Sequence, residues 1–158
     1  MSNWLADLPI PPKYITSISE ARYQSPGDDI YASSLVMYIK LASVPAATDP
    51  SPVIATLMRG DSFVTSGEVL IRSYAVEGTG SQRVISADLE WTYPLEFVEV
   101  VWGDGKTTDR QIISATDLPP FGSHRFQVPL NAAGKKWVRF AAWDSAGNGA
   151  LTQPVKLQ

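Results

Sequence analysis

The side chains best suited to chemistry are few and isolated. The chain holds one histidine, His124, and no cysteine. A zinc centre needs several His or Cys ligands converging on one ion. A histidine-rich cluster and an HExxH-type site are therefore excluded, as are a cysteine nucleophile and a disulfide framework. Ser and Asp are plentiful enough to offer His124 triad partners, but no Gly-x-Ser-x-Gly elbow occurs. His124 also shares the apolar register of Phe126, Val128 and Leu130, so a packed or rim histidine accounts for it. Gly103-Asp104-Gly105-Lys106-Thr107 has the letters of a phosphate loop without its spacing. It lies between two apolar runs, where a hairpin turn is expected.

Asp28, Asp29, Asp104, Asp109 and Asp144 all fall in turn-like sequence. A calcium site needs several oxygens converging, and Asp144 with the Asn148 carbonyl would supply only part of one. Local Asx hydrogen bonds explain these residues better. Glu90, Glu96 and Glu99 could be paired as glycosidase acids, but any sandwich offers such pairs. Trp4, Trp91, Trp102, Trp137 and Trp143 are many for this length. A surface row of them would stack on sugar rings, yet Trp91, Trp137 and Trp143 recur on strand faces, where a core puts its bulk. If the face with Trp137, Arg139 and Trp143 is exposed, it is expected to contact another domain. No residue is assigned a catalytic, cofactor-binding or metal role, and no cofactor is expected.

The elements that would position these groups are mostly strands. Residues 1–29 read as irregular, punctuated by Pro9, Pro11, Pro12 and Pro26. Leu35 to Leu41 reads as a buried strand or a helix, because periodicity cannot arbitrate so short a run. Ser51 and Pro52 look like an N-cap and a first helical residue, with Val53, Ile54 and Leu57 on one face and Gly60 as the stop. The expected helix is Pro52–Arg59.

After Gly60 the period changes to two. Strands are expected at Ser62–Thr65, Glu68–Val76, Arg83–Tyr93, Glu96–Trp102, Thr107–Ala115, His124–Leu130, Lys136–Trp143 and Ala150–Leu157. In the second, Val69, Ile71, Ser73 and Ala75 share a face. In the third, Ile85, Ala87, Leu89 and Trp91 face inward, opposite Ser86, Asp88, Glu90 and Thr92, as in a half-buried antiparallel strand. Pro154 suggests that the last strand lies at a sheet edge. The strand count and turn spacing predict an all-β, immunoglobulin-like antiparallel sandwich with one short helix and an irregular N-terminal segment. Residues 1–50 read as an N-terminal extension or connecting segment, and residues 51–158 as the sandwich domain.

Composition agrees with a soluble globular chain. It has 158 residues, 44% of them hydrophobic and 18% charged, enough to build a core without metal or disulfide. The net charge of −3 with scattered basic residues argues against nucleic acid as a partner. No apolar run reaches the ~18 residues of a membrane span, so no membrane partner is expected. The first residues, Met1 to Asp7, lack the basic start and apolar stretch of a signal peptide.

Two segments resemble a known family. Val53 to Leu70, reading VIATLMRGDSFVTSGEVL, resembles the short helix, glycine, "sF-x-T-x-G" and strand found downstream of the catalytic barrel in metal-dependent hydrolases of the PHP type (polymerase and histidinol phosphatase superfamily). Trp137 to Val155 is similar to the closing hairpin of the β-sandwich that ends such proteins. The family's metal ligands lie in the barrel and have no counterpart here. A looser similarity to PKD-type and bacterial immunoglobulin-like repeats rests on Trp102 to Gly105 and Asp144 to Asn148. The resemblance implies a non-catalytic accessory sandwich whose partner is another protein domain, a hydrolase barrel. It predicts an exposed apolar patch near the N-terminal segment and the Pro52–Arg59 helix. The alternatives are a carbohydrate-binding module, with carbohydrate as partner, and a stand-alone hydrolase built around His124.

Overall fold

The computed structural model describes residues 35–157. The expected irregular segment 1–29 and Trp4 lie outside them. The described elements are β1 (Val36–Ile39), α1 (Ser51–Arg59), β2 (Ser62–Thr65), β3 (Val69–Thr79), β4 (Gln82–Trp91), β5 (Leu95–Gly103), β6 (Thr108–Ser114), β7 (Gly122–Asn131), β8 (Trp137–Asp144), β9 (Gly149–Thr152) and β10 (Val155–Lys156). They form two antiparallel sheets. The seven-stranded sheet runs β1-β2-β9-β8-β5-β6, with β10 also on β8, and the three-stranded sheet runs β3-β4-β7. The ambiguous run Leu35 to Leu41 is a strand over Val36–Ile39, paired with β2 from Val36↔Thr65 to Ile39↔Ser62, and it is exposed or half-buried rather than buried because it lies at the sheet edge.

The inner faces meet in one core. Val69, Ile85, Leu89, Trp91, Val128 and Leu130 of the small sheet pack on Val98, Val100, Val138, Phe140 and Ala150 of the large one. The period-two pattern of β4, β7 and β8 thus builds the sandwich as expected, because strand side chains alternate faces. Ser86 departs from it. Although on the outer face, it is buried and donates to Glu77 Oε2.

Three local expectations need correction. In β3 the register shifts between Ile71 and Ser73. The extra residue of this bulge lets Arg72 and Ser73 both reach outward, to Glu90 and Asp88. Beyond it Tyr74 and Val76, not Ser73 and Ala75, pack on the core. In α1 the helix starts at Ser51 after Pro50, and the Asp49 carboxylate accepts the Ser51 N–H at 3.0 Å. Ser51 is not the cap. Thr56 is buried, Val53 and Leu57 are half-buried, and Ile54 points to solvent. Gly60 closes the helix in the left-handed region (φ 81°), donating to Leu57 O. The final strand is broken at Gln153-Pro154. β9 lies between β2 and β8, while β10 pairs only with β8. Only the piece after Pro154 fits the edge expectation, since proline cannot donate to a ladder.

While the edge strands β1 and β6 stay largely exposed, the outer face of the seven-stranded sheet is buried along its centre as well. Val64, Glu99, Val101, Trp137, Arg139, Ala141 and Leu151 are all inaccessible there. The Trp137–Arg139 face is accordingly not an exposed contact surface. Both faces of β5 and β8 are dry, which explains why they read as nearly continuous apolar runs.

Candidate functional site

Two concavities mark the described surface. The first, about 1030 Å³ and shallow, lies on the outer face of the three-stranded sheet and includes Arg72, Asp88, Glu90, Phe121, Ser123, His124 and Arg125. Its charges neutralise one another. Arg72 pairs with Glu90, and Arg125 donates to Asp88 at 3.3 Å, which also accepts the Ser73 hydroxyl. Phe121 stands 70% exposed after Pro119-Pro120. His124 is an exposed rim residue whose ring meets Phe126 edge-on, with centroids 4.8 Å apart. It makes no hydrogen bond or ion pair to a carboxylate or hydroxyl among the described residues. The catalytic constellation that a stand-alone hydrolase would need is not assembled there.

The second concavity, about 460 Å³, opens where the two sheets part company. β1, β2 and β9 form one wall, and β3, the edge strand of the small sheet, forms the other. Tyr38 and Phe63 stack nearly parallel (5°) with centroids 5.1 Å apart. They are cross-strand partners in the β1–β2 register, which brings the rings together. Leu70, Ile71 and Val155 add apolar surface. Tyr74 lines the cleft, and its buried hydroxyl lacks a hydrogen-bond partner. Burial pushes this phenol above its ordinary range, with the Thr152 hydroxyl beside it and the Arg139 charge acting in the opposite sense. Thr152 Oγ1 is already engaged with the Phe140 backbone, accepting its N–H at 3.0 Å. Around the rim, Arg59 is paired with Asp61 at 2.8 Å. None of these residues stood out in the sequence. Tyr38 and Tyr74 lie on strands far apart in the chain, and the bulge that turns Tyr74 inward has no sequence marker.

Other polar groups are structural. Asp144 accepts N–H bonds from Ala146 (2.9 Å) and Asn148 (2.8 Å) and the Asn148 side-chain amide (3.1 Å). Oxygens occupied by donors are poor calcium ligands, so the Asx reading of this turn holds. No cluster of three or more His, Cys, Asp or Glu suited to a metal occurs among the described residues. Glu99, of the three proposed acids, is buried and committed to Arg139, Arg110 and Trp143. Trp91 is in the core and donates to Pro119 O at 3.0 Å. Trp102 is half-buried beneath Lys135, 4.8 Å from the ring centre. The described tryptophans form no exposed row.

Exposed apolar side chains gather instead in residues 36–58: Val36, Tyr38, Val44 (94% exposed), Ile54 and Met58. Ile54 and Met58 are one turn apart on α1 and make a single ridge. No helix among the described residues is long and apolar enough to cross a membrane. Comparison of the chain with family models, curated proteins and solved structures found no match.

Proposed function

We propose that this chain is a non-catalytic, immunoglobulin-like accessory domain that docks on a second protein domain, a PHP-type metal-hydrolase barrel. The observation that carries the proposal is the concentration of exposed apolar side chains in residues 36–58, namely Val36, Tyr38, Val44, Ile54 and Met58. It falls where the family resemblance predicts the barrel contact. Large apolar side chains grouped on a surface mark interaction sites. β1 also has a free edge among the described strands, and a free edge invites coverage.

The strand order supports the immunoglobulin-like assignment. Counted from β3, the first, second and fifth strands share one sheet, and the third, fourth, sixth and seventh share the other. That is the immunoglobulin partition with its fourth strand switched to the second sheet, as C′ is. β1 and β2 then extend the second sheet beyond these seven strands, with α1 between them in the chain.

The test has two parts. DNA upstream of this reading frame is expected to encode a His- and Asp-rich barrel in frame. The purified domain is expected to co-elute with a PHP-type barrel stripped of its own sandwich, and Ile54→Asp with Met58→Asp to abolish this. Absence of both results overturns the proposal.

One observation favours a second reading, a carbohydrate-binding module. The exposed Phe121 ring stands beside the Arg72–Glu90 and Arg125–Asp88 pairs, an aromatic face next to planar polar groups that suits a sugar. A glycan array with signal lost in Phe121→Ala would favour it, and a blank array removes it.

A further inference from the structure

We infer that the cleft between β1, β2, β9 and the β3 edge binds a small hydroxyaryl carboxylate. Its volume of about 460 Å³ lies in the range of small-molecule sites. The stacked Tyr38 and Phe63 rings and Leu70, Ile71 and Val155 offer a flat apolar body a surface to cover.

Charge selects the class further. Arg59 is balanced by Asp61 and Arg72 by Glu90. Lys40, also in the lining, carries no ion pair or side-chain hydrogen bond among the described residues. One uncompensated cation at the mouth matches one negative charge. At the other side of the cleft, the Tyr74 hydroxyl is buried without a hydrogen bond. Buried hydroxyls are ordinarily partnered; Thr152 Oγ1 stands beside the Tyr74 hydroxyl without completing a hydrogen bond of normal geometry, and a ligand hydroxyl supplies one. An extended peptide is the weaker candidate. The bulge at Arg72 interrupts the β3 edge along the cleft, and bulged edges resist strand addition. The cleft shares Tyr38 with the docking surface but not Ile54 or Met58, so Ile54→Asp with Met58→Asp is expected to leave probe binding unchanged whatever its effect on barrel docking.

The test is an amide-resolved NMR titration of the intact chain with para-hydroxyphenylacetate and with phenylacetate. The hydroxylated probe is expected to bind about fivefold tighter, the worth of one net hydrogen bond. Tyr74→Phe is expected to remove that preference while leaving phenylacetate binding unchanged. Lys40→Gln is expected to weaken both probes about threefold, as loss of a partly exposed ion pair does. The inference is overturned by the absence of saturable shifts at cleft residues, or by a preference that survives Tyr74→Phe. Unperturbed spectra of both free variants serve as the folding control.

Discussion

Trp143 donates its indole N–H to Glu99 Oε1 across 3.2 Å. The same carboxylate lies 3.7 Å from Arg139, which is wholly buried, and receives Arg110 at 3.3 Å on its other oxygen. Two hydrogen-bond donors, Trp143 of β8 and Arg110 of β6, and the nearby Arg139 guanidinium of β8 thus surround the buried Glu99 carboxylate of β5 on the outer face of the large sheet. Removing one partner of a buried pair leaves the other uncompensated, at about 3–5 kcal/mol. Glu99→Ala is therefore expected to lower unfolding free energy by about that amount in urea. A loss below ~1 kcal/mol, the range of a surface pair, would contradict this account.

Gly103 and Gly105 flank the same hairpin but are glycines for different reasons. A Cβ on Gly103 would fall inside the Trp137 indole, its register partner on β8. Gly105 sits in the left-handed region at φ 91°. Gly103→Ala is expected to cost about 1–3 kcal/mol by overpacking. Gly105→Ala is expected to cost about 1–2 kcal/mol, chiefly through backbone strain, because the Lys136 side-chain end that its Cβ would meet can swing away. Thermal unfolding with tryptophan fluorescence separates them, since only Gly103→Ala displaces an indole.

Asp144 organises the turn between β8 and β9 through bonds to Ala146 and Asn148. Asp144→Ala is expected to destabilise by about 2–3 kcal/mol, as loss of charge-assisted hydrogen bonds does. Calcium is expected to leave the melting temperature of the wild type unchanged. A calcium-dependent rise that disappears in the variant would overturn the Asx assignment.

Asp104 predicts a pH dependence. The backbone N–H groups of Thr107 and then Lys106 hold its carboxylate below the ordinary value of 3.8. A lowered native pKa means that the unfolded chain binds the proton more readily. The contribution is complete above the unfolded pKa and is lost as pH falls through the lower, native one. Asp104→Asn is expected to flatten the fall in stability between about pH 5 and about pH 2. Parallel curves for variant and wild type would refute it.

The strands were readable where alternation meets one dry and one wet face. Ile85 to Trp91 of β4 and Phe126 to Leu130 of β7 show this, and both bury their expected residues. Reading failed where the backbone departs from period two. The bulge at Arg72 reverses the β3 faces without any Gly or Pro to announce it. Pro154 signals an edge in the sequence, whereas in the fold it interrupts the strand at Gln153-Pro154. α1 was found from Pro52 and Gly60, but its buried face centres on Thr56, because packing and not apolarity decided which side turned inward.

From the residues alone followed the β class, the helix position, the absence of a cysteine or multi-histidine centre, and the core identity of Trp91 and Trp137. These depend on side-chain period and residue type, which are local. Only the folded chain decided that both faces of β5 and β8 are dry, that Glu99 and Arg139 meet, and that Tyr38, Phe63 and Tyr74 line one cleft. Such pairings join strands distant in sequence, and their register is set by the packing of two sheets, a property no single segment carries.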